Sequence, residues 1–178
     1  QMGKSVTIVD KAEIGGVCLN RGCIPSKALI SAAEKYQEMG SNADLGITAD
    51  NIQVDFSKIQ QWKDGIVSKL TGGVNALLKG NKVNILKGEA YFVEPNVVSI
   101  SNDEEGKRLK FNDCIIATGS RPVELKAFPF GERILSSTEA LQLQEITESL
   151  IVIGGGYIGI ELGQTYAKFG SKVTILEG

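Results

Sequence analysis

The chain has 178 residues, of which 42% are hydrophobic and 22% are charged, an ordinary balance for a folded globular protein. Its net charge is −2 and it has no block of lysines or arginines, so nothing in its electrostatics favours nucleic acid or an anionic membrane as a partner. Histidine is absent, so a mechanism that needs an imidazole base must take it from outside this sequence.

The first predicted element is a short buried strand over residues 4–10, which ends in Asp10. In a dinucleotide-binding βαβ unit, an acid at the tip of the second strand holds the adenosine ribose. The first strand of such a unit, with its glycine turn, would lie upstream. We therefore expect the chain to start inside a domain and Asp10 to contact a ribose.

Two amphipathic helices are predicted next. The first covers residues 25–39, and the second runs from residue 56 to residue 78 and ends at Gly80. Gly72 and Gly73 each weaken the second helix by about 1 kcal/mol. Such a glycine pair indicates a close neighbour or a bend.

Four short strands with turns between them are predicted next, over residues 83–86, 90–93, 97–101 and 108–111. Residues 114–117 are predicted to form another buried strand, in which Cys114 is expected only to pack. A short helix is predicted within residues 136–143.

The last stretch reads as strand 150–153, a glycine turn, a helix to about residue 169, and strand 172–176 followed by Glu177. Residues 3–10 and 170–177 are near copies of each other. This repetition predicts an α/β fold with two dinucleotide-binding domains, over residues 1–147 and 148–178, each of them cut short.

The glycine turn carries the dinucleotide fingerprint in its full context, between a strand and a helix and with an acid at the tip of the next strand. Gly154 permits the tight turn, Gly156 allows the pyrophosphate to approach the backbone, and Gly159 allows close packing of helix on strand. Glu177 would bind the ribose and repel a 2′-phosphate, so NAD is favoured over NADP. The alternative is a glycine-rich turn that binds no ligand.

Cys18 and Cys23 stand five positions apart among glycines. On an unbroken helix their Cα atoms would be about 8.6 Å apart, whereas a disulfide needs about 4.4–6.8 Å. A bridge therefore requires a loop or a distorted first helical turn, which Asn20 and Gly22 would allow. We interpret the pair as a redox-active disulfide; the alternative is two free thiols packed as small hydrophobic groups. Zinc is disfavoured, since there is no C-x-x-C pair and no histidine.

These residues closely resemble the flavoprotein disulfide reductases that have two dinucleotide-binding domains. The run from Gly15 to Lys27 is most similar to the dihydrolipoyl dehydrogenase branch; glutathione and mercuric reductases usually carry threonine where Val17 stands. The resemblance covers essentially the whole chain and implies a Rossmann-like, three-layer fold with a β-meander insertion. It also implies that a catalytic histidine comes from a dimerisation domain outside this sequence.

The resemblance implies roles for individual residues. Cys23 would lie nearest the flavin, Cys18 would meet the dithiol substrate, and Lys27 would lie near the flavin N5, paired with Glu161. The implied FAD contacts are Asp10, Gly15, Gly16, Lys27, Ala90, Thr118, Gly119 and Ser120. The implied NAD contacts and their neighbours are Gly154, Gly156, Tyr157, Ile158, Gly159, Glu161 and Glu177. For Lys27, Glu161 and Tyr157 the alternatives are a solvated lysine, a surface acid and plain helix packing.

Two positions depart from the pattern of these reductases. Asp10 stands where glutamate is usual, and Arg21 stands between the cysteines where valine is common. We hypothesise that the charge of Arg21 favours the cysteine thiolates.

The activity implied is FAD-dependent oxidation of protein-bound dihydrolipoamide through Cys18 and Cys23, with reduction of NAD⁺. The implied partners are the lipoyl domain of a 2-oxo-acid dehydrogenase complex and a second copy of the full-length chain, in the cytoplasm. Neither nucleic acid nor membrane is expected. The alternatives are another flavoprotein disulfide reductase, or a non-catalytic fragment of such an enzyme.

Overall fold

The computed structural model describes residues 3–40, 45–101 and 106–178 and has a mixed α/β architecture. None of the helices in these stretches is long and apolar enough to cross a lipid bilayer. The elements are, in chain order, β1 (Thr7–Asp10), α1 (Gly16–Arg21), α2 (Cys23–Gly40), α3 (Phe56–Gly80), β2 (Asn84–Lys87), β3 (Glu89–Glu94), β4 (Val97–Ser101), β5 (Lys107–Lys110), α4 (Ser137–Ala140), β6 (Ser149–Ile153), α5 (Tyr157–Lys168) and β7 (Lys172–Leu176).

The chain divides into two compact units. One combines Gln1–Gly16 with Lys69–Ser120, and we call it the meander unit. The other combines Val17–Ser68 with Arg121–Gly178, and we call it the disulfide unit.

In the meander unit, β1 pairs in parallel with β2, so that Asp10 lies opposite Lys87. Strands β3, β4 and β5 form an antiparallel meander in that order. Together with β2 they account for the four strands predicted over this region, to within about two residues at each end. Gly88 forms the corner between β2 and β3 with a φ of +152°, and a Cβ there would lie 2.6 Å from the carbonyl oxygen of Ser101. Only glycine fits this corner.

The predicted buried strand over residues 114–117 is wrong for this structure. No secondary structure forms there, Ile115 is 91% exposed, and Cys114, expected to pack, is also exposed. An apolar run becomes a buried strand only where a neighbouring strand pairs with it and another layer covers it. None of the strands described in the meander unit does so.

In the disulfide unit, α5 packs against α2 and against the parallel pair β6–β7. The buried core contains two adjoining clusters, one of Ala33, Phe56, Tyr166 and Phe169 and one of Leu29, Leu141 and Leu162. Helix α2 places its predicted apolar face on this core, as its 3.6-residue spacing requires.

Helix α3 begins and ends close to the predicted positions, with its last residue at Gly80. Asp55 precedes it and accepts hydrogen bonds from the Ser57 hydroxyl and the Lys58 amide, which lower the pKa of the Asp55 carboxyl to about 2. Gly72 and Gly73 have no described atom within 4 Å of a Cβ placed on them. The helix continues through the pair, and the predicted close neighbour is not found among the described residues.

Buried side chains hold the short helix α4 in the disulfide unit. Its N-terminus has a capping box, in which Ser136 and Glu139 satisfy each other's backbone donors. Its C-terminal carbonyls accept hydrogen bonds from three side chains: Tyr166 Oη to Ala140 O (2.5 Å), Lys63 Nζ to Leu141 O (2.8 Å) and Gln60 Nε2 to Leu143 O (2.8 Å). Burial raises the pKa of Tyr166 to about 12, so its hydroxyl stays a donor at neutral pH.

Candidate active site and nucleotide-binding turn

A disulfide joins Cys18 to Cys23 in the disulfide unit. Cys18 lies on α1 and Cys23 opens α2, and the helix is interrupted at Gly22 between them. The break brings the two Cα atoms to 4.7 Å, within the range a disulfide allows. A Cβ on Gly22 would lie 3.2 Å from Val17 O and 3.3 Å from Cys18 Cα, so glycine permits the close approach of the two short helices. The prediction of an interrupted helix is confirmed.

The backbone around the disulfide is built from special positions. Gly15 and Gly16 have φ values of +120° and +72°, which disfavour any residue with a Cβ. Pro25 is buried in the first turn of α2, where its missing N–H costs no helical hydrogen bond. Both cysteines are exposed within the part of the chain that the structure describes, so a dithiol reagent can reach them.

Lys27 lies one helical turn after Cys23 on α2, on the same face of the helix. Its Nζ is 2.5 Å from Oε1 of Glu161 on α5, 134 residues further along the chain. The pairing of these two residues, implied by the resemblance, is thus present, and the Lys27 and Glu161 side chains are 60% and 37% exposed. A charge pair stands one turn from the disulfide.

The glycine turn between β6 and α5 meets the stereochemical demands of the fingerprint. Gly154 has a φ of +102°. A Cβ on Gly159 would overlap the Gly154 carbonyl oxygen and lie 2.9 Å from Val152 Cγ1, so helix and strand pack too closely for any other residue. A Cβ on Gly156 would meet no described atom within 4 Å, which leaves open space over the N-terminus of α5.

Glu177 follows β7 and its carboxylate accepts a hydrogen bond from the Gly155 N–H. The carboxylate therefore lies beside the glycine turn; in the fingerprint, an acid at this strand tip binds the ribose of the dinucleotide. Tyr157, the first residue of α5, is 78% exposed, and Ile158 beside it is also exposed. Plain helix packing therefore does not account for Tyr157 in the described chain.

The residues implied to contact FAD on the meander unit include two on its strands, Asp10 and Ala90, and three in the segment 118–120. Asp10 is half-buried, and its Oδ1 accepts a 2.8 Å hydrogen bond from the Ala12 N–H. Ala90 lies on β3, which packs against β1. Residues 118–120, Thr118, Gly119 and Ser120, are exposed and have no regular secondary structure, and Gly119 has a φ of +71°.

Sequence reasoning missed two polar clusters. Lys63 on α3 is only 2% exposed and donates to Leu141 O and Gln60 Oε1. In the meander unit, Lys11 Nζ lies 2.9 Å from Glu89 Oε1. The Lys63–Leu141 and Lys11–Glu89 contacts each join residues 78 positions apart, and no local periodicity signals such a contact.

Among the described residues, no group of three or more cysteines and acids could hold a metal ion.

A family model described as pyridine nucleotide-disulphide oxidoreductase matches residues 1–178. The chain belongs to the pyridine nucleotide-disulphide oxidoreductase family.

Two curated members of this oxidoreductase family illustrate the similarity. The dihydrolipoyl dehydrogenase of Geobacillus stearothermophilus is 60% identical over 178 residues, which are 100% of this chain and 38% of that protein. The dihydrolipoyl dehydrogenase of Bacillus subtilis (strain 168) is 57% identical over the same length, with the same coverage. The chain thus spans 38% of the length of these relatives.

Two solved structures share the fold of the chain. The Cu(II) complex of an HOCl-induced flavoprotein disulfide reductase from Escherichia coli superimposes with a TM-score of 0.81 at 28% identity, over 99% of this chain and 37% of that one. LpdA from Mycobacterium tuberculosis superimposes with a TM-score of 0.86 at 23% identity, over 97% of this chain and 39% of that one. The predicted Rossmann-like α/β fold is confirmed.

Proposed function

We propose that the protein acts as an FAD-dependent dihydrolipoyl dehydrogenase that oxidises protein-bound dihydrolipoamide through Cys18 and Cys23 and reduces NAD⁺. The observation that carries the proposal is the exposed Cys18–Cys23 disulfide at a helix break. It occurs in a chain that is 60% identical to a dihydrolipoyl dehydrogenase over its whole length.

The chemistry at the cysteines is thiol–disulfide exchange. A thiolate of dihydrolipoamide attacks Sγ of Cys18, the Cys18–Cys23 bond breaks, and Cys23 leaves as a thiolate. The second substrate thiol then attacks the substrate sulfur of the mixed disulfide. This step releases lipoamide as a cyclic disulfide and leaves a dithiol on the protein. Each substrate thiol loses its proton as it becomes a nucleophile, and a histidine supplied from outside this chain passes these protons, one at a time, to the two cysteine sulfurs, so that the disulfide gains two electrons and two protons.

The residues of the glycine turn fit a dinucleotide. The open space over Gly156 leaves the N-terminal amides of α5 accessible to a pyrophosphate, and Glu177 lies where ribose hydroxyls would bind. We assign Gly154, Gly156, Tyr157, Ile158 and Gly159 to the same NAD site, within an NAD-binding domain that begins at residue 148.

The FAD-binding domain is assigned to residues 1–147. Asp10 lies at the carboxyl end of a parallel strand, the position at which a dinucleotide-binding fold holds a ribose. The further FAD contacts assigned are Gly15, Gly16, Lys27 with its partner Glu161, Ala90, Thr118, Gly119 and Ser120. Bound FAD and NAD⁺ supply the two-electron chemistry that links the dithiol to the nicotinamide.

The partner assigned is the lipoyl domain of a 2-oxo-acid dehydrogenase complex, and the full-length protein is assigned as a cytoplasmic homodimer. The identity to dihydrolipoyl dehydrogenases, at 54–60% for several bacterial members, supports both.

Replacing Cys18 with serine in the full-length protein tests the function. We expect dihydrolipoamide:NAD⁺ activity to fall by at least about a thousandfold, since the exchange step loses its electrophilic sulfur. Cys114→Ser is the matched control, because Cys114 is exposed and outside the disulfide. Undiminished activity of the Cys18→Ser variant would refute the assignment.

A related disulfide reductase with another substrate is the second candidate, because the Escherichia coli neighbour at 28% identity is named only as a flavoprotein disulfide reductase. Competition separates the two. When both are offered as substrates of the full-length protein, dihydrolipoamide should be used in preference to glutathione. Faster reduction of glutathione disulfide by NAD(P)H would favour the second candidate.

A further inference from the structure

An ion pair in the meander unit links the surroundings of two assigned FAD contacts. Lys11 immediately follows Asp10, and Glu89 immediately precedes Ala90. The 2.9 Å contact between Lys11 Nζ and Glu89 Oε1 therefore ties the two segments together across 78 residues of sequence.

The backbone supports the same connection. The Gly88 N–H donates a 3.0 Å hydrogen bond to the Asp10 carbonyl oxygen. Gly88 itself is held at a corner where a Cβ would meet Ser101 O at 2.6 Å. Asp10 in turn accepts the Ala12 N–H, which fixes the direction of its carboxylate. The segments on either side of the corner cannot move far apart without breaking these contacts.

Tyr91 completes the cluster. It stands two residues after Glu89 on β3, so the two side chains share a face of the strand. Glu89 is hydrogen-bonded by Lys11 and by Tyr91, which lowers the pKa of the Glu89 carboxyl, while the bond to Glu89 raises the pKa of Tyr91. Glu89 therefore remains a carboxylate that binds both neighbours at neutral pH.

We propose that Lys11, Glu89 and Tyr91 are positioning residues that hold Asp10 and Ala90 in the arrangement that binds the adenosine end of FAD. The inference rests on the proposed function. The three residues act through Asp10 and Ala90: a carboxylate that is already fixed binds ribose hydroxyls without losing further conformational freedom.

The chain offers a matched control for an exposed ion pair. Lys4 pairs with Asp113 at 2.6 Å in the same unit, and the Lys4 and Lys11 side chains are each 66% exposed. Lys4, however, lies at the opposite end of the β1 segment from Asp10. A general effect of removing a surface ion pair would therefore appear equally in both lysine variants.

The experiment uses the full-length protein, stripped of flavin, as wild type and as Lys11→Met, Glu89→Gln, Tyr91→Phe and Lys4→Met variants. Quenching of flavin fluorescence gives Kd for FAD and for FMN, which lacks the adenosine. We expect Lys11→Met and Glu89→Gln to raise Kd for FAD by about two- to fivefold, the range for an exposed ion pair, and to leave FMN unchanged. Tyr91→Phe should have a smaller effect, and Lys4→Met none.

A charge exchange supplies the second readout. The double variant Lys11→Glu, Glu89→Lys should bind FAD more tightly than either single variant, Lys11→Glu or Glu89→Lys, and the loss of FAD binding in the single variants should shrink at high salt. Equal weakening of FAD and FMN, or equal effects of Lys11→Met and Lys4→Met, would overturn the positioning role. If the wild-type protein binds no FAD, the proposed function falls with the inference; if all variants bind FAD like wild type, only the inference falls.

Discussion

Residues 3–10 and 170–177 have nearly the same sequence, and each ends a parallel strand with an acid, yet the two acids make different contacts. Glu177 accepts the N–H of Gly155 in the turn that follows the neighbouring strand β6. Asp10 accepts the N–H of Ala12 in its own loop, and its neighbouring strand β2 leads into the corner at Gly88. A strand pattern thus predicts where an acid stands, whereas the adjacent strand decides what it touches.

The two regions also differ in what stabilises them. Around the second acid, helix α5 packs its glycines on β6 and β7 and buries Tyr166 and Thr165. Around the first, the side-chain contacts include the exposed ion pairs Lys4–Asp113 and Lys11–Glu89. Since burial strengthens an interaction and solvent screens it, substitutions in the disulfide unit should have the larger effects.

The largest effect is expected from Gly159→Val. Its side chain would overlap the Gly154 carbonyl and Val152, so it should lower the free energy of unfolding by about 1–3 kcal/mol and weaken NAD⁺ binding more than about a hundredfold. FAD binding should persist. Gly156→Ala is the control, since no described atom lies within 4 Å of its Cβ, and should keep wild-type stability. Titration with NADH measures nucleotide binding, and urea unfolding measures stability. Normal NADH binding by Gly159→Val would show that this turn is not the nucleotide site.

Lys63→Met should come second. The methionine fills the buried space but leaves the Leu141 carbonyl without its 2.8 Å donor, so the free energy of unfolding should fall by about 1–3 kcal/mol. The control is Lys58→Met, which removes an exposed lysine that pairs with Asp55. It should change the free energy of unfolding by less than about 0.5 kcal/mol. Equal urea midpoints for the two variants would mean that the buried lysine contributes no more than a surface one.

A smaller and more selective effect is expected from Glu177→Gln. The substitution removes a charged hydrogen-bond acceptor, so it should weaken NAD⁺ binding about tenfold. It should also reduce the preference of the protein for NAD⁺ over NADP⁺. Asp10→Asn should instead weaken FAD. Isothermal titration of both variants with both nucleotides measures the four dissociation constants. If Glu177→Gln weakened FAD binding as much as NAD⁺ binding, or Asp10→Asn weakened NAD⁺ binding as much as FAD binding, the assignment of that acid would be contradicted.

The smallest effect is expected from Arg21→Val. Arg21 is three residues after Cys18 on α1, so the two side chains share a face, and its charge should favour the thiolate of the reduced protein. The variant should shift the pH midpoint of iodoacetamide alkylation upward, whereas Arg21→Lys should not. Identical midpoints for Arg21→Val and wild type would exclude an electrostatic role.

Local patterns predicted most of this fold because they act over a few residues. The glycines at positions 154 and 159, the break at Gly22 and the ends of α3 all follow from short-range sterics, periodicity and capping. The Lys27–Glu161 pair was predicted only through the family resemblance, since its partners are 134 residues apart. The strand expected at residues 114–117 failed because apolar composition gives the propensity of a segment and not its pairing partner. Lys63 and Glu89 carried no sequence signal at all, because the burial of a lysine depends on which distant carbonyl it meets.

The break at Gly22 also bears on how often the disulfide can be opened and closed. A cross-link stabilises a fold mainly by restricting the unfolded chain, and this restriction grows with the length of the loop it closes. The cysteines here are separated by only five positions, and α2 and its core contacts hold the segment independently of the bond. Reduction should therefore remove about 2 kcal/mol of folding free energy, less than the loss expected for a cross-link that closes a long loop, and the core contacts of α2 remain to hold the segment when the bond is open.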